Sequence, residues 1–346
     1  MFNACFVITE KCNLNCKYCY MNNNNIFMTN DVFKHHYNNN LPYFLNEYNQ
    51  TKYSLDIFGG EPLLNWKLIE YITEYTKDDK NCTLRIISNG LLLDEYKVDY
   101  IKKNNIKVLI SFDGLWNKKL EIYRIKKHLI KELVNEVSVC VTPQNIKMSE
   151  NYEFMINEFD IVPNFKIVRD SIWEDKDVEI FEVELDKLIE SYIKYLIKGE
   201  SYLPGIIKYN LSKMIEDTLH EMSSSRCFVG NNGVAFSANG EVYPCARFLT
   251  NNSYPFYDGK NYIKKNIKEI NKLSNEFTEC NKCDINSFCN HMCLQQEIVK
   301  GLSRNLCKIY KILSDKIIEI NHRFKNVKLW KAEVYNIYND VGGSSG

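Results

Sequence analysis

Three cysteines in eight residues, Cys12, Cys16 and Cys19, follow the first apolar run with the spacing C-x3-C-x2-C. Thiolates suit iron–sulfur clusters and zinc. If the loop wraps around one centre, three thiolates on a four-iron cluster leave one iron open to a small molecule. The same three thiols plus a distant ligand would instead make a zinc site. Seven of the 13 cysteines lie between residues 223 and 310: Cys227, Cys245, Cys280, Cys283, Cys289, Cys293 and Cys307. An odd cysteine count without an export signal favours metal ligation over disulfides. Cys5, Cys82 and Cys140 sit in apolar runs and read as small buried side chains.

The elements that must position these thiols follow from patterning. Short apolar runs over residues 5–9, 53–58, 84–88, 108–111, 137–142 and 165–168 read as strands buried on both faces. Helical stretches over 65–76, 94–104 and 149–159 separate them. Six strands alternating with helices predict a parallel sheet, and no GxGxxG follows the first strand, so a partial (β/α)6 TIM-like barrel fits better than a dinucleotide-binding sheet. Phe181, Leu185, Leu188, Ile189, Tyr192 and Leu196 recur at helical spacing, and Gly199 can end that helix. A further helix is expected over 209–222. The predicted division is therefore 1–222, barrel and helical linker; 223–325, a loop-rich metal domain with a C-terminal helix; and 326–346, a tail. Residues 308–331 hold seven Lys/Arg against two acids, which predicts a helix with a solvated basic face or, alternatively, a peptide-docking surface. The terminal GGSSG reads as a flexible linker or expression scar. The asparagine run 22–25 reads as polar loop filler.

The 346 residues carry 44 Lys+Arg and 44 Asp+Glu, a net charge of zero that gives no argument for a nucleic-acid partner. No apolar run is long enough to span a bilayer, and the N-terminus has no signal-peptide pattern, so a cytoplasmic protein without membrane attachment is expected.

Residues 9–21, TEKCNLNCKYCYM, resemble the signature loop of radical S-adenosylmethionine (SAM) enzymes. That resemblance implies a [4Fe–4S] cluster on Cys12, Cys16 and Cys19 whose open iron binds SAM. Its reductive cleavage yields a 5′-deoxyadenosyl radical. Gly59, Gly60 and Glu61 resemble the family's GGE motif, with Glu61 complementing the cofactor's ammonium group. Ser88-Asn89-Gly90 and Ser111-Phe112-Asp113-Gly114 resemble its later motifs, which makes Asn89 and Ser111 SAM contacts; a turn-forming role suits Asn89 and Asp113 equally. Arg124 is a candidate partner for the SAM carboxylate, or a helical surface arginine.

The later cysteines resemble the SPASM extension of this family, a loop-rich iron–sulfur domain with two auxiliary clusters. The resemblance implies one cluster on Cys280, Cys283, Cys289 and Cys307 and another on Cys227, Cys245 and Cys293. The chain would thus hold three [4Fe–4S] clusters in all. The fourth ligand of the Cys227/Cys245/Cys293 cluster is open: Gly233 stands where sulfatase-maturing relatives carry a further cysteine. SPASM members mostly modify peptides or proteins, which predicts installation of a thioether or carbon–carbon crosslink in a ribosomally made peptide. Formylglycine formation, as in anaerobic sulfatase maturases, is the alternative; it uses an Asp after the second auxiliary cysteine, where this chain has Ala246. A non-enzymatic electron-transfer protein is the other alternative. The first strand begins by Cys5, so no leader-binding domain is expected before it. That points to a separate leader-recognition protein or a substrate needing none, with flavodoxin or ferredoxin as electron donor.

Overall fold

In β1 (Phe2–Thr9) the even residues Phe2, Ala4, Phe6 and Ile8 are each 0% exposed. Successive strand side chains point to opposite faces, so these four form one apolar face. Phe6 stacks on Phe236 with ring centroids 4.5 Å apart and tilts against Phe33 at 5.5 Å. Burying one such side chain is worth about 1.5–3 kcal/mol. The odd residues face the other way, into a polar ladder across three strands. Asn3 Nδ2 donates to Asp56 Oδ2 at 3.0 Å, and Arg85 grips both oxygens of Asp56, Nε donating at 2.9 Å. Register places Cys5 opposite Asp56, and Asp56 opposite Arg85.

The computed structural model describes residues 1–115, 123–124, 126–133, 136–219, 229, 232–273, 280, 282–285, 289, 293–301 and 303–342. The chain divides into two compact units. The first comprises 1–111, 128–135 and 225–277. Here β1, β2 (Tyr53–Gly59), β3 (Cys82–Ser88) and β4 (Lys107–Phe112) run parallel in register. α1 (Asn30–His35) and α2 (Leu41–Glu47) fall between β1 and β2, α3 (Trp66–Thr76) and α4 (Glu95–Lys103) after β2 and β3, and α5 (Lys127–Leu133) after β4. Leu68, Ile69 and Ile72 of α3 are buried. Asp94 caps α4, its carboxylate accepting from Lys97 N at 2.9 Å.

The second unit comprises 112–127, 136–224 and 278–346. It holds the parallel pair β5 (Glu136–Val141) and β6 (Pro163–Ile167), separated by α6 (Met148–Phe154). α7 (Asp175–Ile197) starts in a capping box between Glu174 and Asp177. Gly199, at φ +80°, closes it, its N–H bonding to Leu196 O. α8 (Gly205–Leu219) follows. The α/β class is the one the patterning predicts, and the strand positions agree within about three residues.

The compact units change at 224/225, two residues from the expected boundary at 222/223, but they group the segments differently from the expected domains. β7 (Gly233–Phe236) pairs parallel with β1, and β8 (Val242–Tyr243) pairs antiparallel with β7, so 225–277 joins the β1–β4 unit together with α9 (Ala246–Leu249) and α10 (Lys264–Leu273). α11 (Leu294–Lys300), α12 (Arg304–Phe324) and α13 (Lys328–Gly342) belong to the other unit. Leu306, Ile309 and Leu313 of α12 are fully buried there. The segment 326–346 is therefore no mere tail: it carries α13, anchored by Trp330, 1% exposed. The basic stretch 308–331 covers α12 from its second turn onward and the first turn of α13. Residues 220–222, 225–228 and the GGSSG end, apart from Gly342, lie outside the described residues. Among those described, no helix is long and apolar enough to cross a membrane.

Candidate functional site

The three-cysteine loop leaves the C-terminal end of β1 and returns to it. Thr9 Oγ1 donates to Ile26 O at 2.8 Å, Glu10 N to Ile26 O at 3.0 Å, and Met28 N to Ile8 O at 2.8 Å, closing the neck. Inside the loop Cys12 N donates to Asn23 Oδ1 at 2.9 Å, and Asn24 Nδ2 donates to Glu10 Oε2 at 2.6 Å. The asparagine run expected as filler is thus what ties the loop across its own width. Cys12 and Cys16 are half-buried and Cys19 is exposed, and none of the described cysteines is in a disulfide. Cys12 Sγ accepts from Leu14 N at 3.4 Å. Three thiols on one pre-closed loop fit a cluster with an open corner.

The GGE segment follows β2 and docks on this loop. Gly60 N donates to Thr9 O and Glu61 N to Lys11 O, both at 2.9 Å. A Cβ at Gly59 would stand 2.0 Å from Thr9 O, and one at Gly60 2.5 Å from Lys11 O. Only glycine permits that approach. Glu61 is 0% exposed. Its Oε1 accepts from Leu63 N at 3.0 Å and Ser88 Oγ at 2.8 Å, and its Oε2 from Asn89 N at 2.9 Å. Burial raises its pKa against these three donors. The carboxylate locks the ends of β2 and β3 together. Asn89 forms the expected turn, its Oδ1 accepting from Leu91 N at 3.0 Å, and its Nδ2 donates to Asn13 Oδ1 of the cysteine loop at 2.8 Å. Ser111 is half-buried near the end of β4, the last residue of the first of the three segments that make up the first unit. Arg124 lies in the second unit, its guanidinium 5.7 Å from the Phe154 ring centroid.

Two residues that sequence reasoning passed over complete this region. Tyr20 follows Cys19 directly, and the Arg247 guanidinium lies 4.2 Å from its ring centroid. Burial raises the Tyr20 phenol; Arg247 opposes this, while the thiols of Cys5, Cys245 and Cys19 add to it. Cys5 is raised by burial first, then by Asp56 and Cys245. It is half-buried beside Cys245, where the apolar reading expected an isolated buried thiol. Cys245 sits at the N-cap of α9, and Ala246 after it is 7% exposed. Gly233 has no room for a side chain: its Cβ would stand 2.7 Å from Asn3 O. The pairing of β7 on β1 thus excludes a cysteine there. Cys227 lies outside the described residues. Cys245 belongs to the first unit, and Cys293, 6% exposed at the N-cap of α11, to the second.

In the second unit Cys280, Cys283, Cys289 and Cys307 converge. Cys283 N bonds Cys280 O at 3.0 Å, Cys289 N bonds Ile285 O at 2.8 Å, and Cys307 enters from the first turn of α12 with its N–H on Ser303 O at 3.1 Å. Burial pushes the Cys289 thiol up to about 12; Arg169 pulls it down, and Cys307, Cys280 and Cys283 push it further up. Burial also raises Cys307, with Cys283 adding to it. Four thiols that feel one another's charge fit a four-thiolate cluster. Among the described residues no three His, Cys, Asp or Glu side chains are spaced to hold a single metal ion. A four-iron cube takes one thiolate per corner, so its ligands stand farther apart than those of one ion.

Residues 6–138 match the family model of the radical SAM superfamily. The chain is 32% identical over 255 residues to an uncharacterized protein of Methanocaldococcus jannaschii, covering 69% of this chain and 82% of that one. It is 22% identical over 359 residues to the radical SAM cyclopropyl synthase TigE of Paramaledivibacter caminithermalis, covering 93% of this chain and 74% of TigE. Among solved structures, anSMEcpe with bound AdoMet superposes with a TM-score of 0.71 at 19% identity, over 96% of this chain and 98% of that one. The same protein is also known with AdoMet and the Cp18Cys peptide, at a TM-score of 0.70.

Proposed function

This chain belongs to the radical SAM superfamily, and from that premise we propose that it modifies a peptide, installing a thioether or carbon–carbon crosslink in a ribosomally made substrate. The family uses SAM and a [4Fe–4S] cluster. Bound on Cys12, Cys16 and Cys19, that cluster would supply an open iron for SAM and the electron that cleaves its sulfonium to a hydrogen-abstracting 5′-deoxyadenosyl radical.

The chain's own residues prepare this site. Asn23 and Asn24 hold the loop closed, Gly59 and Gly60 let β2 dock on it, and Glu61 fixes the Asn89 turn. Glu61 is proposed to serve SAM through the backbone it positions, because its carboxylate oxygens already accept three hydrogen bonds. Ser111 and Arg124 are the proposed side-chain contacts to the ribose and carboxylate of SAM.

The observation that carries the peptide reading is the convergence of Cys280, Cys283, Cys289 and Cys307. Four-thiolate ligation there, with a further set proposed on Cys227, Cys245 and Cys293, would match the SPASM resemblance and bring the proposed total to three clusters. The peptide-bound anSMEcpe agrees with a peptide substrate. A flavodoxin- or ferredoxin-type protein is the proposed reductant, and a separate recognition protein a proposed partner. Formylglycine formation is disfavoured because buried Ala246 offers no acid after Cys245.

The test uses the anaerobically reconstituted protein with dithionite, SAM and a peptide containing Cys. A crosslinked product keeps its sulfur and loses two hydrogens. Loss of sulfur with gain of an aldehyde would establish the alternative, and no 5′-deoxyadenosine would overturn the reading altogether.

A further inference from the structure

The second unit contains a cavity of about 480 Å³ between the end of α12 and the first turns of α13, lined by Asn321, Lys325, Trp330, Lys331, Val334 and Tyr335. That volume falls within the range of small-ligand pockets, roughly 300–1,000 Å³. Its floor is preformed. Trp330 is 1% exposed, its Nε1 donates to Asn321 Oδ1 at 3.1 Å, and the rings of Phe324 and Tyr192 flank it at 6.2 and 6.3 Å. The indole is thereby fixed and covered, and the apolar surface open to a ligand is that of Val334 and Tyr335.

The rim is cationic, and unlike the rest of α12 its charges are unspent. Lys308, Lys311 and Lys316 pair with Asp175, Asp284 and Asp186. Lys325, Lys328 and Lys331 are exposed and have no ion pair among the described residues. Lys328 and Lys331 also stand in the first turn of α13, which carries no acid. The positive end of a helix dipole repels cations, so the chain breaks a local rule here, and an incoming carboxylate would relieve it.

We infer that this cavity docks an acidic segment of the substrate peptide, taking one of its apolar side chains against Val334 and Tyr335 above the buried Trp330 while its carboxylates meet Lys325 and Lys331. The inference rests on the peptide-modifying reading and adds where the substrate is held. Two other occupants fit less well. A reductant must approach a cluster, yet Asn321 lies fourteen residues beyond Cys307 on α12, about 21 Å at the helical rise. A second copy of the chain would bring like charges together. A peptide gains from a remote anchor, because binding energy far from the reacting atoms still orients them.

The probe is a fluorescein-labelled peptide of repeated Glu-Glu-Phe-Leu, with Lys replacing Glu in the control, titrated into the full-length cluster-loaded protein. The acidic probe is expected to bind about tenfold or more tighter than the control, and to weaken about tenfold in Lys325→Glu/Lys331→Glu and in Val334→Trp, which fills the cavity. Both variants should keep wild-type iron content, circular dichroism and peptide-independent 5′-deoxyadenosine formation, which shows they are folded. Equal affinity for both probes, or variants that bind like wild type, overturns the inference. So does a mass in sedimentation that doubles with concentration and is restored to one chain by Val334→Trp, which assigns the cavity to a second copy, or flavodoxin binding that the variants abolish while the acidic probe still binds. Failure of the peptide reading itself looks different: wild-type protein would then modify no peptide, whatever the cavity binds.

Discussion

The two thiol sets are built in opposite ways. Cys12, Cys16 and Cys19 sit on a loop tied by hydrogen bonds to β1, to its own asparagines and to the β2 and β3 ends. Two of these thiols are half-buried and one exposed. Cys280, Cys283, Cys289 and Cys307 instead gather where burial raises Cys289 and Cys307, and they depend on α12 to bring the last thiol in. The first arrangement is a polar cradle that holds its shape and leaves one side accessible. The second leaves none of its four half-buried thiols exposed, and it gains most from a metal that replaces the protons its thiols otherwise keep. Accessibility suits a site that exchanges a small cofactor, closure one that only stores or passes electrons.

The strongest way to break this contrast is to empty each set separately. Cys16→Ala should lower iron by about four from roughly twelve per chain and reduce 5′-deoxyadenosine formation to background. Cys283→Ala should lose a similar amount of iron yet still cleave SAM without peptide. If both variants lose SAM cleavage equally, the two sets are not separable.

Acid acts on the first unit through His36, which is fully buried. Asn40 Nδ2 donates to its Nδ1 at 2.9 Å, so Nε2 carries the proton and donates to Ser237 O at 3.0 Å. Burial lowers its pKa from 6.5 to about 4. The folded state therefore binds fewer protons than the unfolded one. The contribution is complete above pH 6.5 and lost as pH falls toward 4, amounting to about 3 kcal/mol. Urea unfolding of wild type at pH 7 and pH 4 should show this loss, and His36→Gln, which cannot titrate, should remove most of it. An unchanged pH dependence in the variant would assign the acid sensitivity elsewhere.

The polar cradle can also be tested without metal. Glu61→Gln keeps one oxygen for Leu63 N–H and Ser88 O–H but puts an NH2 group where Asn89 N–H donates, leaving two buried donors facing each other. The apo protein should lose about 1–3 kcal/mol by denaturant titration. No loss would mean that the carboxylate is dispensable to the cradle.

What sequence made legible follows from period and spacing. Strands β1–β6 show as apolar runs, and the cysteine loop, GGE and SNG segments stand at their ends because βα loops sit there. Glycine at 59 and 60 is legible as a motif, but its reason, the carbonyls of Thr9 and Lys11, appears only when β2 lies against the loop. β7 is four residues long and pairs with β1 across more than 200 positions, which no local pattern announces; hence 225–277 reads from sequence as part of a separate domain. α13 hid for the same reason: its anchor, Trp330, is buried by tertiary packing against Tyr192 and Phe324. Cys5 looked like a small apolar residue because its neighbour Cys245 is 240 residues away.

The smallest effect concerns Tyr20 and Arg247, which join the loop of the first thiol set to the segment bearing Cys245. A guanidinium 4.2 Å above a phenol ring gains from the ring's negative face, about 0.5–2 kcal/mol depending on how dry the contact is. Either residue alone would mislead as a test, since each touches other groups: Tyr20 feels three thiols, and Arg247 O accepts from Thr250 Oγ1 at 2.8 Å. A double-mutant cycle removes those terms. Tyr20→Leu and Arg247→Met keep much of each side chain's bulk while deleting the aromatic face or the charge. The coupling between them should be about 0.5–2 kcal/mol in the apo protein, read from urea unfolding. It should also persist in 1 M salt better than a surface ion pair would, because the contact is partly dry. Additive losses would show that Tyr20 and Arg247 stabilise the loop independently. A coupling within that range would mean that the polar cradle extends beyond β1–β3 to the strand-and-turn segment after β7.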